Sequence, residues 1–390
     1  MEDLHSTHQF LNILSAEANH FVTVTITLSD DEKNDFENEL SSAFVSDSFS
    51  DTVNAWNAER RRVITETIEQ HLFPHGAKWT REWLREEVED LLARRCGETL
   101  REVGPAQVYE SPANNVQRVD VAPFKVGDFQ PGETPAILAV SWGKGDPQKD
   151  HITLVFLDEA GRLREHTRID NLNDLEHQDE FRDLVRRRKP DVIAIGGFSV
   201  ATTRLSAQIK ETLHVTRAEG STTEFVNPNE AQEFSRIAIT YVFDEIARKY
   251  QHSNRVGDEF ASFSPIVKYC IGLARYLQNP LNEYAALGSN ITAITFEEEY
   301  QHLIPTEKLL TALERGLVDC VNRIGVDINR AVADPYYQLL LPYVCGLGPR
   351  KAQALVKKIG ALVSPSTALC SLLHVDFSTR GGTFRTGISS

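Results

Sequence analysis

This chain of 390 residues lacks the cysteine pairs that mark zinc fingers and redox motifs. Its five cysteines, at positions 96, 270, 320, 345 and 370, are scattered, and no two have Cys-x-x-Cys spacing. This sparse, odd count fits a reducing compartment. The sequence also has no run of about 18 apolar residues, so no membrane span is predicted. Met1 opens a segment without the cationic and apolar parts of a secretory signal. We therefore expect no membrane partner, no metal and no cofactor.

Positive charge is also scarce. The chain has 41 Lys and Arg against 56 Asp and Glu, which gives a formal net charge of −15. A chain this acidic repels nucleic acid at long range, and this argues against tight non-specific DNA binding by the chain as a whole. The acidity suits a basic partner such as a histone. It is equally compatible with solubility alone, which is the more common use of such charge.

The first hundred residues are predicted to be helical. Apolar residues recur at helical spacing from Asp51 onward and predict a helix that Asp51 caps and Pro74 ends. A second amphipathic helix is predicted to begin at Thr80 and to end at Gly97. A stretch rich in Pro, Gly and Asn follows and is typical of a connector.

The patterns along the chain predict a multidomain protein of α plus α/β class. We expect six segments: a helical, helix-turn-helix-like region at 1–104, a linker at 105–132, a mixed-sheet domain at 133–262, connecting helices at 263–300, a helical hairpin domain at 301–376 and a tail at 377–390.

The segment from 133 onward alternates between strands and helices. Strands are predicted at Ile137–Val140 and Ile152–Leu157, with a third at Arg162–Ile169. A helix and then a buried strand, Val192–Ile195, follow. Neighbouring strands followed by a helical crossover to a parallel strand are the arrangement of an RNase H-like sheet.

The segment GLGPRKA, from Gly346 to Ala352, predicts a helix-hairpin-helix motif. Gly346 and Gly348 allow the backbone to approach a ligand closely. The second helix would direct free N–H groups at a phosphate, and Arg350 and Lys351 would add positive charge. These four residues are candidate nucleic-acid contacts, although such hairpins also serve as plain packing units.

Two further motifs suggest enzyme chemistry. Ser199 follows a buried strand in GGFSVA, which is similar to a hydrolase nucleophile elbow but has Ala201 in place of the last glycine. The simpler interpretation is that Ser199 caps a helix. Asp244 and Glu245 follow the strand IAITYVF and could hold a metal, although helix N-termini favour acids in any case.

With these residues placed, the chain resembles the Tex-like transcription elongation factors, most of all their eukaryotic suppressor-of-Ty class. The segments that carry the resemblance are LAVSWGKGD, FLDEAGRLREHTRIDNL, DVIAIGGFS, YVFDEIARKYQHS, GLARYLQNPLNEY, VDCVNRIGVDIN and PYVCGLGPRKAQALV. The resemblance implies an RNase H-like module of the YqgF, or resolvase, type over 133–262, followed by helix-hairpin-helix elements. Past Ile359 the chain departs from the second hairpin and the S1 and SH2 regions that this family carries, which suggests either a core fragment or a chain whose end diverges.

The resemblance also implies that a nuclease site has been lost. Nuclease relatives place carboxylates on the first strand, after the fourth strand and on a late helix, where this chain has Ser141, Gly196 or Gly197, and Ser264. Two-metal hydrolysis needs convergent carboxylates to hold its cations, and serine and glycine cannot provide them. We therefore expect no enzyme activity at these degenerate positions.

The resemblance implies a non-catalytic scaffold, the core of a nuclear transcription elongation factor and histone chaperone. The expected partners are histones or nucleosomes and the RNA polymerase II elongation complex, with weak DNA or RNA contact through the hairpin. One alternative is a metal-dependent, structure-specific nuclease that uses Asp244, Glu245 and Asp258. Another is a serine hydrolase at Ser199, with Asp258 and His302 as its partners.

Overall fold

The structure is a computed structural model that describes residues 8–104, 134–146, 149–214, 234, 237–297 and 299–362. The chain divides into two compact units, Met1–Gly97 with Phe296–Ala312, and Glu98–Thr295 with Leu313–Ser390. The predicted linker at 105–132 and tail at 377–390 lie outside the described residues. Within the described ranges, no helix combines the length and the apolarity needed to cross a bilayer.

The first unit is built from helices, as the sequence predicts. The helices that begin in it are α1 (Gln9–Ala18), α2 (Asp30–Phe44), α3 (Asp51–Thr67) and α4 (Phe73–Val103). Ser29 caps α2 in a capping box with Glu32, which satisfies two backbone N–H groups that the first turn leaves free. Apolar side chains spaced four residues apart on α4 (Leu84, Val88, Leu92 and Cys96) are buried, as expected for one face of a helix.

The predicted ends of the first two helices are wrong. The helix continues through Pro74 because a π-helical turn, Ile68–Leu72, joins α3 to α4. Such a turn changes the backbone hydrogen-bonding pattern where proline lacks an N–H group. Thr80 and Gly97 both lie inside α4. A Cβ atom at Gly97 would lie 2.9 Å from the Ala312 carbonyl oxygen, so this glycine serves close packing rather than termination.

The second unit contains a five-stranded mixed sheet, with strand order β3-β2-β1-β4-β5. The strands are β1 (Ile137–Ser141), β2 (Ile152–Leu157), β3 (Leu163–Ile169), β4 (Val192–Gly196) and β5 (Ala238–Val242). β1 pairs antiparallel with β2, and β2 with β3. β1 pairs parallel with β4, and β4 with β5. This arrangement confirms the predicted RNase H-like sheet.

Alternation along the strands divides the sheet into two buried faces. Leu138, Val140, Ile193 and Ile195 lie in a core that also contains buried side chains from α5 (Leu175–Arg188) and α6 (Val200–His214). Residues between them, such as Ala139, are also fully buried. The strands β1, β2 and β4 are therefore near-continuous apolar runs, as strands covered on both faces are.

The later helices continue the numbering. They are α7 (Glu245–Tyr250), α8 (Asn254–Glu259), α9 (Pro265–Gln278), α10 (Pro280–Leu287), α11 (Thr306–Ile324), α12 (Ile328–Ala333) and α13 (Gly348–Leu362). Helix α9 contacts β1, β2 and β4. Short 3-10 helices occur at Gly288–Ala293, Gln301–Leu303 and Tyr337–Tyr343. The helical C-terminal region agrees with the predicted fold class.

Candidate functional site

The first two degenerate positions lie together at the carboxyl edge of the sheet. β1 ends at Ser141 and β4 ends at Gly196. The strands are parallel neighbours whose last recorded pair is Val140 with Ile195. Their next residues therefore emerge side by side, at the point where open α/β sheets commonly place their ligands. Neither residue carries a carboxylate.

Gly196 has no room for any side chain. A Cβ atom at this position would lie 2.1 Å from the Tyr269 hydroxyl oxygen and 2.9 Å from the Cζ atom of the same ring. Real Cβ atoms do not approach other atoms this closely. Tyr269, which lies on α9, thus occupies the space into which a carboxylate on β4 would project.

The Tyr269 hydroxyl is held by a carboxylate and is not free. It donates a hydrogen bond of 2.9 Å to Oδ2 of Asp244. Arg248, four residues after Asp244, donates from Nε to the same oxygen at 2.8 Å. Burial, together with the charge of Asp244, raises the pKa of the Tyr269 hydroxyl. The phenol therefore stays protonated and continues to donate.

Gly197 also lies close to the Asp244 carboxylate. Its φ of +77° is in the left-handed region, and a Cβ atom there would lie 3.1 Å from Oδ2 of Asp244. Asp244 is 8% exposed. Its carboxylate is therefore packed against backbone and held by an arginine and a phenol. Its Oδ2 atom already accepts hydrogen bonds from Arg248 and Tyr269.

Ser264, the third degenerate position, lies elsewhere along the same edge. It precedes Pro265 at the start of α9, and its Oγ accepts a hydrogen bond of 3.0 Å from Nη2 of Arg168. Arg168 on β3 is paired with Thr153, and Thr153 is paired with Ser141. Ser264 therefore contacts a strand that is two positions away from β1, whereas the α9 residues beside Gly196 are Tyr269 and Leu273.

The three acids of the nuclease alternative do not form one metal-binding group among the described residues. Asp244 is held as described above. Glu245 accepts hydrogen bonds from the Thr295 backbone N–H at 2.8 Å and from its hydroxyl at 3.0 Å. Asp258 is exposed on α8. Across the part of the chain that the structure describes, no group of three or more His, Cys, Asp or Glu residues is arranged to hold a metal ion. Asp244, Glu245 and Asp258 therefore do not provide the convergent carboxylates of a two-metal site.

Ser199 forms the hydrogen bonds of a helix cap. Its Oγ accepts from the backbone N–H of Thr202 at 3.2 Å, and its own N–H donates to the Thr202 hydroxyl at 2.8 Å. This reciprocal pattern at the start of α6 is that of a capping box.

The predicted hairpin turn lies between the 3-10 helix Tyr337–Tyr343 and α13. Gly346 and Gly348 have φ values of +82° and +63°, which explains the need for glycine at both positions. Arg350 and Lys351 are exposed. The Nζ atom of Lys351 donates to the carbonyl oxygen of Gly346 at 3.0 Å, so one of its three N–H donors is used within the turn.

Asn322 on α11 forms hydrogen bonds to this turn. No motif in the sequence indicates this role. Its amide donates to the Tyr343 carbonyl at 3.0 Å and accepts from the Cys345 backbone N–H at 3.0 Å. The segment VDCVNRIG contains this residue, but no local pattern connects it with a turn more than twenty positions later. Tyr269 was missed for the same reason.

Two protein families match the chain. Residues 131–288 match a family described as Holliday-junction resolvase-like of SPT6, and residues 289–376 match the helix-hairpin-helix motif family. Both agree with the fold and the resemblance predicted from the sequence.

Curated relatives match nearly the whole chain. A Neurospora crassa protein named transcription elongation factor spt-6 is 38% identical over 353 residues, which cover 90% of this chain and 24% of the relative. The Schizosaccharomyces pombe factor spt6 is 36% identical, over 90% of this chain and 23% of the relative. The Mycosarcoma maydis factor SPT6 is 35% identical, over 90% of this chain and 21% of the relative. The chain thus spans less than a quarter of the length of these three relatives. Over about 90% of its own length it is homologous to transcription elongation factors named SPT6.

Proposed function

We propose that this chain is a non-catalytic scaffold from the core of a transcription elongation factor and histone chaperone. It acts in the nucleus, with the RNA polymerase II elongation complex and with histones or nucleosomes as partners. The relatives named transcription elongation factor support the elongation role. The net charge of −15 suits a basic partner such as a histone.

The observation that carries the non-catalytic part is the contact between Gly196 and Tyr269. A side chain on Gly196 would overlap the Tyr269 hydroxyl, and the nearby Asp244 is already bound to Tyr269 and Arg248. A nuclease of the two-metal type needs carboxylates that are free to bind cations. In this proposal Ser141, Gly196, Gly197 and Ser264 remain as the degenerate positions of that ancestral site.

The hairpin is the proposed place of weak DNA or RNA contact. Gly346 and Gly348 expose the backbone at the turn, and Arg350 and Lys351 lie on the exposed surface at the start of α13. Backbone N–H groups and cations in this arrangement bind phosphate without reading sequence. The six segments predicted from the sequence are proposed as the domain division of the chain.

A binding experiment tests the partners. The purified chain is incubated with reconstituted RNA polymerase II elongation complexes, with nucleosomes and with free histone H3–H4, and each mixture is analysed by native electrophoresis. Retention of at least the elongation complex and of one histone-containing species is expected. Binding to none of the three would refute the scaffold role.

A cleavage experiment tests the lack of catalysis separately. Four-way and flap DNA substrates are incubated with the chain in the presence of Mg²⁺ or Mn²⁺, with Asp244→Asn as the matched variant. We expect no cleavage by either protein. Metal-dependent cleavage that Asp244→Asn abolishes would instead establish the nuclease alternative.

A further inference from the structure

A group of charged and aromatic side chains lies where the two matched family regions meet. Its members are Arg255, Glu259, Arg275, Glu283 and Tyr336, and we call this group the arginine–tyrosine clamp. The first four lie within 131–288, the resolvase-like region, and Tyr336 lies within 289–376, the helix-hairpin-helix region. All five belong to the second compact unit.

Arg275 ties three parts of the resolvase-like region together. This residue on α9 is 4% exposed. Its Nη atoms donate to the two carboxylate oxygens of Glu259 at 2.8 and 2.5 Å, and Nη1 also donates to the Tyr250 hydroxyl at 2.9 Å. Its Nε donates to the Gly161 carbonyl, in the turn between β2 and β3, at 3.3 Å. The guanidinium is therefore fixed in position.

The Tyr336 ring lies close to two guanidinium groups. The Arg275 guanidinium lies 4.9 Å from the ring centroid, and that of Arg255 lies 4.6 Å from it. Cations at these distances are attracted to the electron-rich face of an aromatic ring. Tyr336 precedes the 3-10 helix that leads to the hairpin turn. The attraction therefore acts directly on the part of the chain from α12 to α13, residues 328–362, which we call the hairpin segment.

The Tyr336 hydroxyl also completes the binding of a buried charge. Glu283 on α10 is 1% exposed. Its Oε1 accepts hydrogen bonds from the Tyr336 hydroxyl and, at 3.3 Å, from Nη2 of Arg255. A buried carboxylate that loses one of its partners is strongly destabilised, because nothing replaces the lost water. Separating the hairpin segment from the rest would therefore remove one of the two hydrogen-bond donors of Glu283 and leave only Arg255.

We propose that Tyr336 makes the resolvase-like sheet and the hairpin segment a single cooperative unit, which fixes the orientation of the hairpin turn relative to the sheet. Tyr336 acts as a positioning residue because its ring and hydroxyl bind three charged side chains of the neighbouring region. This coupling is independent of any partner and does not rest on the proposed function.

Hydrogen exchange on the full chain, measured by mass spectrometry, tests the coupling. The probe is Tyr337→Leu, which removes a buried ring that packs under Arg330 inside the hairpin segment. In a cooperative unit this change accelerates the slowest amides of α13 and of β1 and β4 by the same factor, because all of them exchange through one opening. We expect an acceleration of about tenfold or more in both.

The same probe is then applied in a Tyr336→Leu background. There the expected acceleration by Tyr337→Leu is confined to α13. The exchange rates of β1 and β4 should change by less than about threefold, because the connection through Tyr336 has been removed. Tyr336→Phe keeps the ring beside the two arginines and loses only the hydroxyl. In this background the acceleration in β1 and β4, relative to that in α13, should be intermediate. It also replaces Tyr336→Leu if that variant does not fold.

Two results would overturn the proposal. One is that Tyr337→Leu already affects only α13 in the unmodified chain. The other is that it accelerates both regions equally after Tyr336 has been replaced.

Discussion

Gly196→Ala tests the structure at its most constrained position. The new Cβ atom would lie 2.1 Å from the Tyr269 hydroxyl oxygen, so the ring must move or the strand must shift. Movement of the ring breaks the 2.9 Å hydrogen bond to Asp244. A hydrogen bond to a charged group contributes about 1.5–3 kcal/mol, and overpacking costs about 1–3 kcal/mol. Because the two effects overlap, we expect a total loss of about 2–4 kcal/mol.

The loss is measured by urea unfolding, followed by hydrogen exchange in peptides that contain β1 and β4. Hydrogen exchange in these peptides reports the stability of the sheet separately, which is necessary in a chain with two compact units. Gly257→Ala on α8 is the matched control, since a Cβ atom there meets nothing within 4 Å. In a helix this change should be neutral or stabilising by up to about 1 kcal/mol.

A double-mutant cycle identifies the cause of the loss. In a Tyr269→Phe background the hydroxyl oxygen is absent, and the nearest remaining atom is the ring carbon at 2.9 Å. Gly196→Ala should then cost less than in the unmodified chain, with a coupling of about 1 kcal/mol or more. A cost equal to that of Gly257→Ala, or a cost that Tyr269→Phe leaves unchanged, would refute the assignment of this contact.

Three further predictions concern the hairpin and one edge of the sheet. Asn322→Ala removes both hydrogen bonds to the turn, and we expect faster amide exchange at Cys345 with little change in β1. Arg350→Gln should weaken DNA or RNA binding and flatten its salt dependence by about one unit of slope, as measured by a salt titration, whereas Lys358→Gln at the far end of α13 should not. Burial raises the pKa of Asp191, against the opposing hydrogen bond from Ala136 N–H. An acid with a raised folded pKa contributes stability at low pH that is lost as pH rises through that pKa. Asp191→Asn should therefore stabilise the fold at pH 7 but not below the unfolded pKa, as measured by urea unfolding at both pH values.

Much of the sheet could be predicted because its determinants are local. The apolar runs of β1, β2 and β4 are short, bounded by turns and buried on both faces, and such runs are typical of central strands. The hairpin turn could be predicted for a similar reason. Gly346 and Gly348 both adopt positive φ, which few other residues tolerate.

Two other features were not predicted by local rules. Pro74 obeys the rule that proline disrupts an α-helix, but the disruption takes the form of a π-helical turn and not of an end. Gly97 has the residue type of a helix terminator, yet its role is set by the approach of the Ala312 carbonyl. Neither outcome follows from the neighbouring residues alone.

The positions expected to be degenerate show the same limit. The sequence motifs draw attention to acids that are expected but not found, at Ser141, Gly196 and Ser264. They do not indicate that the space beside Gly196 is filled by Tyr269, five residues beyond Ser264 on the same helix. Restoring an acid at Gly196 alone would not rebuild a metal site, because Tyr269 would block it and Arg248 would still neutralise Asp244. The four residues therefore depend on one another. Gly196 on β4 leaves room for Tyr269, Tyr269 and Arg248 both donate hydrogen bonds to Asp244, and these contacts connect α9 to the end of the sheet.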